Sequence, residues 1–157
     1  MKKAEVGDFR SWTIRGGEKE GDGYFTVRWS PFAKADKYEI VTGVPALGGI
    51  AEIYFRDRQG KLNLFCLQRS WFGGLRSMLR ERCDPELEKD ERRRAILEEH
   101  KGEIWYRYTF SESSDDMKDV MFFYMETYSP GSGTVDHSGR YNRIFVKEID
   151  SGKLTTI

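Results

Sequence analysis

Over GIAEIYFR (49–56), Ile53 and Phe55 alternate with Glu52, Tyr54 and Arg56, the period of two that predicts a strand with one buried and one partly wet face. KLNLFCLQR (61–69) follows after Asp57-Arg58-Gln59-Gly60, so the two runs read as a hairpin, with Gly60 free to take the positive φ of a tight reversal. The period then changes. Trp71, Phe72, Leu75, Met78, Leu79 and Cys83 recur at helical spacing and leave Arg76 and Arg80 one turn apart on the opposite side. A second helix is expected over PELEKDERRRAILEEH (85–100), capped by Asp84. Glu88–Arg92 and Asp90–Arg94 there read as i, i+4 pairs on a solvated face.

Elsewhere, FRSWTIR (9–15) and YFTVRWS (24–30) read as strands joined by a mobile Gly- and charge-rich loop, GGEKEGDG. Pro31 ends the second of them, and KYEIVTG (37–43) reads as the start of a further strand. EIWYRYTF (103–110) sets Ile104, Tyr106, Tyr108 and Phe110 against Trp105, Arg107 and Thr109, again a strand. SESSDDMKDVMFFYMETYSP (111–130) reads as a buried helix started by Ser114, Asp115 and Asp116, with a strand over 117–128 as the alternative. After a loop at Pro130–Gly133, RIFVKEI (143–149) is a strand and Asp150-Ser151-Gly152 a turn.

These elements predict an α+β fold, a small antiparallel or mixed sheet flanked by helices. The 157 residues suit a single domain with one core. Lys and Arg total 26 and so do Asp and Glu, so no global field drives the chain onto nucleic acid or an anionic membrane, and any such binding must be local. Aromatic residues make up 14%, and in strand-like runs they are read first as core. Cys66, Cys83, His100 and His137 lack the paired spacing of a structural zinc site. With no apolar run of membrane-spanning length and no leader pattern, the expected setting is a soluble, cytoplasmic one with no membrane partner.

Hairpin, helix, helix, strand and helix in that order, over roughly residues 44–142, resemble the GIY-YIG nuclease domain. VPALGGIAEIYFRDRQGKLNLF is similar to that family's opening, GGLRSMLRER to its arginine-bearing helix, and DDMKDVMFFYMETYSP to the helix carrying its metal-binding glutamate. Tyr141-Asn142 is similar to the end of the motif set. On this resemblance, residues 1–43 form an N-terminal β extension containing an extra hairpin, and 143–157 a C-terminal strand and tail. The departures fall on the chemistry. Ala51 stands where the first motif has tyrosine, unless Tyr54 substitutes. Leu64-Phe65-Cys66 or Phe65-Cys66-Leu67 replaces the second motif, and Met121 or Phe122 replaces the glutamate. A hard divalent cation needs oxygen ligands, which those side chains lack.

A working nuclease would have to use Tyr54, Arg76 and Glu126 as its catalytic set with Mg²⁺ or Mn²⁺ as cofactor; otherwise neither a cofactor nor a bound metal is expected. Asp136-His137-Ser138 carries the letters of a triad, but adjacent side chains project in different directions. Between residues 56 and 82 seven cations face two acids. Arg56, Arg58, Arg69, Arg76 and Arg80 are therefore the candidate nucleic-acid contacts, with Tyr54 or Trp71 for stacking. The sequence thus favours a non-catalytic GIY-YIG-like binding domain whose first partner is structured DNA or RNA. A protein-interaction or oligomerisation module and a divergent metal-dependent endonuclease stay open as alternatives.

Overall fold

The computed structural model describes residues 8–71, 73–128 and 136–150. Among these, a 3₁₀ turn at Asp8–Ser11 is followed by β1 (Ile14–Lys19), β2 (Asp22–Arg28), β3 (Ala33–Lys34) and α1 (Lys37–Gly43). Then come β4 (Gly49–Arg56), β5 (Leu62–Ser70), α2 (Gly74–Arg82), α3 (Glu91–Glu99), β6 (Ile104–Phe110), α4 (Ser114–Tyr128) and β7 (Ile144–Ile149). The chain has the expected α+β class, with its strands in two sheets. One is four-stranded in the order β3-β6-β4-β5, antiparallel throughout, with β4 inside. The other runs β1-β2-β7, with β7 parallel to β2.

The four-stranded sheet is the middle layer, and strand alternation sorts its side chains into two cores. Ala51, Ile53, Tyr106 and Tyr108 face the side of α1, α2 and α3, where they meet Ile40, Leu75, Leu79 and Leu97. Ile50 faces the other side, where Met117, Val120 and Tyr124 of α4 pack with Ile14, Phe25, Val27 and Trp29 of the small sheet. The β4–β5 register shifts at Ile53/Tyr54, so Phe65 and Cys66, adjacent in sequence, both reach the first core.

Several elements differ from the sequence expectation. KYEIVTG is the helix α1, not a strand. Its buried positions, Ile40 and the following Val44, are one turn apart, while Tyr38 and Val41 are exposed. Asp36 caps it by accepting from Glu39 N at 2.9 Å, so capping and packing override the β-branched residues. GGEKEGDG is no loop: most of it is ladder, and only Glu20-Gly21 turn, with φ of 54° and 87°. Two successive positive φ values match the right-handed twist of a hairpin.

The second charged helix starts at Glu91 and is capped by Asp90, which accepts from Arg93 N at 2.9 Å. Residues 85–87 are a turn, with Asp84 accepting from Glu86 N. Trp71 precedes α2, which begins only at Gly74 with Gly73 as its N-cap, both at positive φ. A Cβ on Gly74 would meet the Ala46 carbonyl carbon at 2.6 Å, so the start of α2 is pressed onto the segment leading into β4. Residues 114–128 are helical, and the cap is Ser113, one residue earlier than expected, accepting from Asp116 N at 3.0 Å. The side chain of Phe72, the loop at Pro130–Gly133 and the turn residues Ser151-Gly152 lie outside the described residues.

Candidate functional site

Tyr54 shares the α4-facing side of β4 with Glu52, and the second strand neighbour on that face is Arg107 of β6, which stands opposite Glu52. Glu52 is fully buried. Its Oε1 accepts from Tyr54 Oη at 2.6 Å and from Arg107 Nε at 2.7 Å. Arg107 Nη1 continues to Asp150 Oδ1 at 2.6 Å, and its guanidinium lies 4.6 Å from the Trp29 ring centroid and 4.7 Å from that of Phe32. Beside this group, Trp29 Nε1 and Tyr124 Oη both donate to Glu148 Oε2, at 3.1 and 2.6 Å. Glu52 Oε2 is buried and has no hydrogen-bond partner among the described residues.

Burial pushes the Glu52 carboxyl above its ordinary range, against the pull of Arg107 and Tyr54. Burial and the neighbouring Glu52 also raise the Tyr54 phenol well above its ordinary value. A phenol that donates to a carboxylate and resists ionisation is a poor general base. This centre therefore ties β4, β6 and the end of β7 together.

The other two members of the expected catalytic set are elsewhere. Arg76 is on α2, across the four-stranded sheet from Tyr54. Its Nε donates to Val44 O at 2.7 Å, closing the C-terminal end of α1. Glu126 is exposed on α4. No group of three or more His, Cys, Asp or Glu side chains that could hold a metal occurs among the described residues. Ser138 does not engage His137: its Oγ donates to the buried Asp119 at 2.8 Å, while His137 Nδ1 accepts from Gly139 N.

The five candidate nucleic-acid arginines do not share one surface. Arg56 donates to Glu103 at 2.8 Å, and Arg76 is held by α1. Arg58 is exposed at the β4–β5 turn, Arg80 on α2, and Arg69 opposite Ile50 on the α4 side of the sheet. Arg82 and Arg93, together with the backbone of Asp90, converge on Glu88, which is buried and not on a solvated face.

A more coherent surface is the face of the small sheet that points away from α4. Strand register places Arg15, Gly17 and Lys19 of β1 beside Thr26, Tyr24 and Asp22 of β2, and Phe145 and Lys147 of β7 beside Tyr24 and Thr26. Arg28 and Arg143 complete it. Five cations thus surround one acid, Asp22, whose Oδ2 accepts from Arg143 Nη2 at 2.9 Å. At its centre Tyr24 and Phe145 stack with centroids 5.1 Å apart and planes 19° apart. They are 45% and 39% exposed, far more than the inward Phe25 and Val27 that flank Tyr24 and Thr26 along β2. The signal was in the alternation of YFTVRWS, where assigning Phe25, Val27 and Trp29 inward leaves Tyr24 and Arg28 outward; reading aromatics as core hid it.

A cleft of about 890 Å³ borders this face, lined by Arg10, Arg15, Trp71, Ser111, Glu112 and Asp116 among others. Its two cations and two acids favour no class of ion.

The model of one protein family, described as "Uncharacterised protein", matches residues 14–156, and the chain belongs to that family. No curated protein and no solved structure matches it. No helix among the described residues is long and apolar enough to cross a membrane.

Proposed function

We propose that this protein binds nucleic acid through the open face of its β1-β2-β7 sheet and does not cleave it. The observation that carries the reading is the excess of charge: five cations to one carboxylate on a single face of a chain whose charges balance overall. Such a face attracts a polyanion by counterion release, and the short reach of screened charge makes a local excess sufficient. Arg15, Lys19, Arg28 and Lys147 are exposed and form no ion pair among the described residues.

Two observations support the non-catalytic part. The Tyr54 hydroxyl is committed to Glu52, and the four-stranded sheet stands between Tyr54 and Arg76. The reading of residues 44–142 as a diverged GIY-YIG-like core is supported by the order β4, β5, α2, α3, β6, α4, which follows the hairpin, helix, helix, strand, helix sequence of that family.

The test is an anisotropy titration with labelled DNA and RNA oligonucleotides over a range of salt. Affinity should fall linearly on a log–log plot, and the double variant Arg15→Gln, Lys147→Gln should reduce the slope by about two. No binding at low salt would overturn the proposal, as would binding lost in Arg58→Gln, Arg69→Gln, Arg80→Gln but not in the sheet-face variant. Incubation of plasmid with Mg²⁺ or Mn²⁺ should leave it intact. Cleavage that disappears in Glu126→Gln would overturn the non-catalytic reading.

A further inference from the structure

Nucleic-acid binding by this sheet says nothing about strandedness, but the side chains at its centre do. Phosphate contacts alone need cations, whereas Tyr24 and Phe145 put two flat apolar rings at the middle of a face otherwise suited to phosphate. Exposing both rings to water leaves apolar area uncovered for which the fold offers no partner. In duplex nucleic acid the base faces are already stacked on each other, and only unpaired bases can cover such rings.

The neighbouring strand leaves room for a base. Gly17 is directly opposite Tyr24, and a Cβ built on it would meet nothing within 4 Å. The adjacent Gly16 is different: a Cβ there would meet the Phe25 ring at 2.6 Å, so inward packing requires that glycine. Gly17 lacks this internal reason, and its missing side chain keeps the β1 side of Tyr24 open. One face of Tyr24 is turned to Phe145, and the Arg143 guanidinium, held by Asp22 of β2, is 5.5 Å from the Phe145 ring centroid, so the stacking position beside Tyr24 is the one over Gly17. Arg15 and Lys19 flank that position on β1, and Arg28 and Lys147 lie toward the other end of the face, where phosphates on either side of a stacked base can reach them.

We infer that the β1-β2-β7 face is a platform for single-stranded nucleic acid, with an unpaired base stacked on Tyr24 in the space left by Gly17 and the backbone held by the surrounding cations. This rests on the nucleic-acid reading given above and narrows it to one class of ligand. DNA and RNA strands share this chemistry, since every base has a flat face.

The experiment compares four labelled probes of equal length at one salt concentration: a thymidine 12-mer, a uridine 12-mer, a duplex and an abasic 12-mer that keeps the phosphates but has no bases. At least one single strand should bind about tenfold or more tightly than both the duplex and the abasic probe. Tyr24→Ala should remove that advantage and leave abasic binding unchanged. Gly17→Val should also remove it, by filling the space beside Tyr24, while keeping or raising the melting temperature because valine suits a strand where glycine weakens it. That rise separates blocked stacking from damage to the fold. Equal affinity for all probes, tighter duplex binding, or an unaltered preference in both variants would overturn the inference and leave the general nucleic-acid reading standing. Absence of binding to every probe would overturn both.

Discussion

Two buried glutamates show how the number of donors, and not burial alone, sets the behaviour of a carboxylate. Glu88 receives Arg82 Nη1 and Arg93 Nε on Oε1, and Arg93 Nη2 and Asp90 N on Oε2. Burial pushes its carboxyl up, but these donors and charges overcome it and hold the group below its ordinary range. Glu52 has two donors, both on one oxygen, and burial prevails. The signs of their pH dependence are therefore opposite. Glu88 contributes stability that is present above the unfolded carboxylate pKa and is lost as pH falls through its lower folded value. Glu52 contributes stability that is full below the unfolded pKa and is lost as pH rises toward its higher folded value. Urea denaturation should show wild type losing stability relative to Glu52→Gln as pH rises above about 4.5, the ordinary value of the carboxyl. A gap that widened in favour of wild type would mean that Arg107 holds Glu52 ionised. Glu88→Ala should cost about 3 kcal/mol near neutral pH, because it removes the buried carboxylate on which Arg82 and Arg93 converge and leaves Arg82 only Gln68 and Glu81. From the sequence, Glu88 paired with Arg92 four residues on. The actual partners became available only because α3 starts at Glu91, a boundary that a charge pattern with little apolar content does not fix.

At the scale of elements, long periodic segments were legible and short or glycine-rich ones were not. The β4–β5 hairpin, β6 and β7 follow from period and turn chemistry, whereas the aromatic run of α4 left helix and strand both open, and Gly60 has the positive φ that its place in the turn requires. α1 was misread because seven residues offer barely two turns of periodicity, and Tyr, Ile, Val and Thr carry strand propensity. The β1–β2 ladder was misread because glycine usually punctuates. Here Gly16 is needed in a strand interior by the Phe25 ring, a reason that lives in the packing. Gly16→Ala should accordingly destabilise by about 1–3 kcal/mol, as overpacking does. The turn makes the reverse prediction. Glu20 takes φ of 54°, a region where asparagine is at home and glutamate is not, while the Glu18 carboxylate already accepts from Gly21 N. Glu20→Asn should raise stability by up to about 1 kcal/mol, read as a shift in the urea midpoint at constant slope. A fall would mean that the Glu20 side chain contributes something the backbone geometry does not show.

Across the whole molecule, the two chain regions that flank residues 44–142 are one structure. β2 and β7 pair in parallel over Gly23–Arg28 and Ile144–Ile149, more than a hundred residues apart, and no local pattern encodes such a partnership. The same pairing creates the proposed binding face, since Tyr24 comes from one segment and Phe145 from the other, which is why the sequence pointed to a basic stretch contiguous along the chain instead. β7 is also structurally necessary. Its inward Ile144 and Val146 cover the second core, and its inward Glu148 accepts from both Trp29 and Tyr124. Asp150, just past it, anchors Arg107. Ending the chain after Asn142 would expose that apolar edge, orphan two buried donors at about 1–3 kcal/mol each, and leave the buried Arg107 with Glu52 alone. Together these approach the roughly 5–15 kcal/mol by which a domain is stable. The 1–142 fragment should therefore show no cooperative thermal transition, and amide exchange should be fast in α4 and β6 as well as in β2, because Tyr124 and Arg107 carry the loss into both cores. If the fragment instead melts in one transition near that of the full chain, the four-stranded layer with its helices is an independent unit and the small sheet only an attachment to it.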